Sequence, residues 1–122
     1  MDTIRRHHIS FKNAASGIIY ALKTQPNFRI HLSLALVAIL AGFYLDVSFV
    51  EMTVLIFAIF FGLGMEMVNT SIESMTDLIA TEWKKDAKTA KDVSAGMMLL
   101  SAFGTVLIAA LIFLPKILER FQ

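Results

Sequence analysis

No cysteine occurs in the 122 residues, so disulfides, thiol catalysis and cysteine-based zinc sites are excluded, although the lack says little about compartment. Charge is sparse as well: 17% of residues are Asp, Glu, Lys or Arg, against 57% hydrophobic ones. A chain this short needs a largely polar surface to stay in water, so its composition argues against a small soluble domain and for one compact membrane unit over residues 1–122. No internal repeat, low-complexity tract or linker is visible. Neither a GxxxxGK[ST] nor a GxGxxG pattern is present, so Gly62-Leu-Gly64 is not a phosphate loop. The polar stretch 1–12 has no apolar core of the kind a cleavable signal peptide needs, and none is expected.

What the chain does have is three apolar stretches, at residues 30–45, 47–68 and 93–114. The third is long enough to cross a bilayer as a helix and the first is at the short end, which predicts an all-α integral membrane protein with three spans. The segment from Tyr44 to Glu51 is short enough to be only a turn between the first two. No Gly or Pro interrupts residues 65–91, so the second helix is expected to run past the bilayer through Asp77. Ahead of the spans, residues 10–23 read as an amphipathic helix lying on the membrane surface, within an amino-terminal region 1–29 that precedes the three-span region 30–122. Phe11, Ala14, Ile18, Ala21 and Leu22 are its apolar side, Ser10 its N-cap, and Pro26 marks the break after it. Nine of the eleven Lys and Arg residues precede the first span or lie between the second and third, which places the amino terminus and that basic connection in the cytoplasm.

The second apolar stretch ends in Glu66, Asn69, Glu73 and Asp77. At 100° per residue these positions share one narrow helical face, so three carboxyls and an amide point the same way. An ionisable group deep in a bilayer costs about 2.5–3.5 kcal/mol unless it faces a wet or protein-lined cavity, which makes this face a candidate site. A polar network fixing helix register would use the same residue types. A transporter would place its acids nearer the midplane, and a purely structural subunit would need no basic partner for them. Lys84, Lys85 and Lys88 read as a membrane anchor. His7 and His8 diverge on a helix, so they and His31 read as solvated or interfacial side chains and not as metal ligands. Gly62, Gly64, Gly96 and Gly104 read as positions of close helix packing.

Glu66-Met-Val-Asn69-Thr-Ser-Ile-Glu73-Ser-Met-Thr-Asp77, followed by Ala90-Lys91-Asp92-Val-Ser-Ala-Gly96, resembles the signature of the prokaryotic diacylglycerol kinase family of small membrane enzymes. Phe11-Lys-Asn-Ala-Ala-Ser-Gly17, Asn27-Phe-Arg-Ile-His31 and Ile112-Phe-Leu-Pro-Lys116 extend the likeness over almost the whole chain, and the last pieces look more like the undecaprenol kinase branch. The resemblance implies a homotrimer in the bacterial cytoplasmic membrane with active sites shared between subunits. It also implies transfer of the γ-phosphate of ATP to undecaprenol or diacylglycerol. With undecaprenol the role would be supply of a phosphorylated carrier lipid for cell-wall polymers; with diacylglycerol, phosphatidate production and lipid recycling.

Phosphoryl transfer to an alcohol needs an acceptor for the hydroxyl proton, a divalent cation and a positive group for developing charge. By resemblance, Glu66 is the catalytic base and Glu73 the magnesium ligand with Asn69 as helper; Asp77 reads as an acid that either supports those groups from behind or orients the substrate. Glu66 and Asn69 also border the lipid substrate. Lys91 and Asp92 match the nucleotide-contacting pair, Glu82, Trp83 and Lys84 lie where the family's loop approaches the nucleotide, and Arg6 and Asn13 match contacts on the surface helix. One departure stands out. Where relatives carry a glutamate that shares the metal, this chain has Gln25, which keeps an oxygen ligand but loses its charge, so weaker magnesium binding is expected.

Overall fold

The structure, a computed structural model, describes the backbone of residues 2–121 and the side chains of residues 9–121. Among these residues there are four helices: α1 (Asp2–Thr24), α2 (Pro26–Tyr44), α3 (Phe49–Ile79) and α4 (Lys85–Arg120). The last three are long and apolar enough to cross a membrane. α2 begins at Pro26, four residues before the apolar stretch, because a proline at the first helical position needs no backbone donor and has its φ already set. Gln25 alone separates it from α1. Arg29 closes that corner: its Nη1 donates to the carbonyls of Leu22 at 3.2 Å and Lys23 at 3.0 Å, two of the carbonyls left open at the end of α1.

α2 and α3 form a tight hairpin. Asp46 takes the left-handed conformation, φ 51°, that lets the chain reverse. Ser48 then caps α3, accepting from the Glu51 amide at 3.2 Å, while the Glu51 carboxylate accepts from the Ser48 amide at 2.7 Å. The acid that interrupts the second apolar stretch is therefore part of a helix cap. Gly42 has no room for a side chain against the hairpin: a methyl group there would lie 2.7 Å from Met52 Cε and 3.3 Å from Val47 Cγ2. By contrast, Gly64, Gly96 and Gly104 face open space and Gly62 has room for a methyl, so the expected packing role of those four is not met within the chain.

The basic connection between the second and third spans is also shorter than expected. α4 starts at Lys85, so Lys85, Lys88 and Lys91 ride on a helix and only residues 80–84 are irregular. No Gly or Pro stands between Lys85 and Val93 to delay the helix. At its other end, past Pro115, α4 returns to the hairpin. Lys116 pairs with Glu51 at 3.2 Å, and Arg120 donates to the Tyr44 carbonyl at 3.0 Å with its guanidinium 4.5 Å from the ring centre.

Ala35, Leu55, Ile59 and Ile112 form the core between α2, α3 and α4, with Leu55 wholly buried. Most other large apolar side chains, Leu36, Phe57, Leu99 and Phe103 among them, lie exposed. That pattern suits a chain solvated by hydrocarbon, where burying apolar surface gains little and small residues set helix contacts. Of the apolar side of α1, Ala21 is buried and Phe11, Ile18 and Leu22 are exposed.

Candidate active site

α3 has 31 residues and is about 46 Å long, whereas the hydrocarbon layer is about 30 Å thick. Counting about 20 residues from Phe49 puts the far edge of the bilayer near Val68. Glu66 therefore lies just inside that edge, Asn69 at it, and Glu73 and Asp77 beyond. α4 comes alongside at the same level, and side-chain bonds tie the two helices there.

The Ser94 hydroxyl donates to Asn69 Oδ1 at 2.6 Å, and Asn69 Nδ2 donates to Glu73 Oε1 at 3.2 Å. A carboxylate can only accept, so the amide nitrogen must face Glu73 and the amide oxygen must face Ser94. Ser94 and Asn69 are both buried, and Glu73 is half-buried. Asn69 is thereby locked, and its oxygen is already shared with a hydroxyl before any metal claims it. Further out, Lys91 Nζ binds Asp77 Oδ1 at 2.8 Å, an ion pair that joins the end of α3 to the start of α4.

Glu66 is only 1% exposed, and its Oε2 is the one buried side-chain polar atom without a hydrogen bond among the described residues. Burying a carboxyl without partners is unfavourable, and such groups occur where a ligand or a reaction uses them. His31, half-buried on α2, is near enough to act electrostatically on this carboxyl.

The other sequence candidates lie around this centre. Asp92 pairs with Lys88 on its own helix and not with the neighbours of Lys91, since adjacent residues on a helix point apart. Glu82, Trp83 and Lys84 are exposed in the 80–84 connection, and Asn13 is exposed on α1. The side chain of Arg6 lies outside the described residues. Gln25 is half-buried at the α1–α2 corner, with no hydrogen bond to Glu73. Ser94 and His31 were not among the sequence candidates. The only signal for Ser94 is a small polar residue one turn past Lys91, and for His31 an imidazole one turn into an apolar helix.

Among the described residues no three His, Asp or Glu side chains gather as a metal cage. Magnesium needs no such cage, because it takes one or two carboxylates and fills its shell with phosphate oxygens and water. The half-buried Glu73 carboxylate is a hard oxygen donor of the kind such a site uses.

Comparison with known proteins decides the family. Residues 12–113 match the family described as prokaryotic diacylglycerol kinase. The chain belongs to that family. It is a lipid kinase. An undecaprenol kinase of Bacillus subtilis is 34% identical over 116 residues, covering 95% of this chain and 94% of that protein. A diacylglycerol kinase of Synechocystis is 35% identical over 112 residues, covering 91% of this chain and 64% of that protein. One from Helicobacter pylori is 34% identical over 84 residues, 69% of this chain and 66% of that protein. The three long apolar helices of this kinase agree with a membrane protein.

Proposed function

We propose that this kinase transfers the γ-phosphate of ATP to undecaprenol at the cytoplasmic edge of a bacterial inner membrane. The observation that carries the reading is the buried Glu66 carboxyl with an unpaired oxygen, on the same helix as Asn69 and Glu73 and next to the polar cluster they form with Ser94. A lipid alcohol reaches such a carboxyl from the membrane, and a nucleotide reaches Glu73 and Lys91 from water. Glu66 accepts the hydroxyl proton as the alcohol oxygen bonds to the γ-phosphorus and ADP leaves. Asn69, fixed by Ser94, holds Glu73 in place. Glu73, Gln25 and Asn69 would hold a divalent cation, and that ion would supply positive charge to offset the phosphates. Lys91, freed from Asp77 or shared with it, neutralises phosphate charge, and Asp77 orients that lysine. Asp92, Glu82, Trp83, Lys84, Asn13 and Arg6 surround the nucleotide.

The basic residues support a cytoplasmic amino terminus with α1 on the inner leaflet. We take the chain as one kinase domain assembled as a homotrimer, whose exposed apolar faces are shared between lipid and neighbouring subunits. Diacylglycerol as acceptor is the second reading, favoured by the relatives from Synechocystis and Helicobacter pylori. Undecaprenol is preferred because the relative matched over nearly its full length carries that name. Purified protein in mixed micelles with labelled ATP and magnesium is offered each alcohol. Label in undecaprenol at the higher rate is expected; faster label in diacylglycerol reverses the acceptor, and label in neither overturns the reading. Glu66→Gln should lower the rate by about 10²–10⁴-fold while leaving the helical spectrum unchanged.

A further inference from the structure

An apolar groove of about 380 Å³ runs between α2, α3 and α4. Along α3 its floor is Leu55, Ile59 and Gly62, positions four and three apart that continue, four residues on, to Glu66. Residues at this spacing share one helical face, so the groove leads to the carboxyl and stops about one turn short of it. Among the described residues, Thr105 and His31 supply the only polar side chains lining it. The Thr105 hydroxyl is already spent, donating to the carbonyls of Ser101 at 2.9 Å and Ala58 at 3.3 Å. His31 makes no hydrogen bond among the described residues and stands at the end of the groove from which α3 continues to Glu66. The groove is thus a hydrocarbon channel with one free polar group, placed at the mouth that meets the site.

Resting on the acceptor reading above, we propose that His31 binds the acceptor hydroxyl: one unbroken hydrocarbon chain lies in the groove, and the imidazole N–H holds the terminal oxygen while its proton points at Glu66 Oε2. The hydroxyl oxygen accepts from His31 through one lone pair and attacks the γ-phosphorus with the other. The O–H proton passes to Glu66, the bond from the γ-phosphorus to the bridging oxygen breaks, and ADP carries the electron pair away. A prenol satisfies this channel because its hydroxyl carbon begins a chain without further polar atoms. A diacylglycerol brings two ester groups to the same level, where the lining offers them no free donor and each would be buried unpaired.

The test compares wild type, His31→Leu and His31→Gln as full-length protein in micelles, with farnesol and ATP varied in turn. Leucine keeps bulk without a donor, and glutamine keeps an N–H. His31→Leu should lower kcat/KM for farnesol roughly tenfold, with KM for ATP unchanged, and His31→Gln should recover most of the loss. Equal loss in both variants, a rise in KM for ATP, or no loss in either overturns the assignment. A photoreactive farnesol analogue gives a readout that needs no turnover. Crosslinks at Ala35, Ile59 or Ala109 are expected, whereas crosslinks only at outward residues such as Leu36 and Phe103 would show that bulk lipid or a second copy covers the groove. A wild type that crosslinks in the groove yet phosphorylates neither farnesol nor diacylglycerol would overturn the acceptor reading and leave the groove standing.

Discussion

Ser94 and Gln25 show how much a single side chain decides at this site. Ser94 is 2% exposed and gives its hydroxyl to Asn69, which in turn braces Glu73. Ser94→Ala leaves the Asn69 oxygen buried without a donor, a cost of about 1–3 kcal/mol, and frees the amide to turn away from Glu73. The expected outcome is a lower melting temperature in detergent together with a raised magnesium requirement; a loss of stability alone would limit Ser94 to packing. The metal site proposed above makes the charge at position 25 a second test. Gln25→Glu should lower the magnesium concentration for half-maximal rate, read from a titration at saturating ATP, and an unchanged midpoint would remove position 25 from the metal site.

Arg29 works at the scale of an element, by holding the end of one helix against the start of the next. Its guanidinium satisfies two carbonyls of α1 while its backbone belongs to α2, so the two helices meet at a set angle. Arg29→Ala should let the last turn of α1 fray, and hydrogen exchange should quicken in residues 18–24 while α3 and α4 stay as slow as before. Unchanged exchange in α1 would mean that the buried Ala21 and Phe28 alone hold the corner. At the far end of the molecule, the Ser48–Glu51 capping box makes a comparable prediction. Ser48→Ala should cost about 1 kcal/mol, measured as a shift in the thermal midpoint, because it leaves an amide of the first turn of α3 without its partner.

Taken whole, the molecule buries little of itself. Among the described residues the largest wholly buried side chains are Leu55 and Glu66, and exposed apolar residues run along each of α2, α3 and α4. In hydrocarbon this is no penalty. If active sites are shared in a trimer, mixing Glu66→Gln with Lys91→Ala subunits should restore part of the activity that each lacks alone. If each chain works by itself, the mixture should stay as inactive as its parts. The Lys91–Asp77 pair within one chain gives that experiment its edge, because it holds the lysine on its own α3 until something draws it away.

The single acidic face on α3 was legible because Glu66, Asn69, Glu73 and Asp77 lie on one helix, where the 3.6-residue period alone sets direction. The spans were legible for the same reason, through runs of apolar residues, and the hairpin through the short stretch between two of them. The start of α4 at Lys85 was less so, since a run of lysines reads equally well as a loop or as an exposed helix. What no linear pattern contained was the meeting of helices: Ser94 with Asn69, Lys91 with Asp77, and His31 at the mouth of a groove that leads to Glu66. Those pairings depend on how far each helix is rotated and slid against its neighbours, and packing of Ala35, Leu55, Ile59 and Ile112 sets that. Composition and period determined a membrane protein with its acids on one face, the family resemblance made it a kinase, and only the tertiary structure decided which groups those acids touch, because contact across helices is a property of packing and not of period.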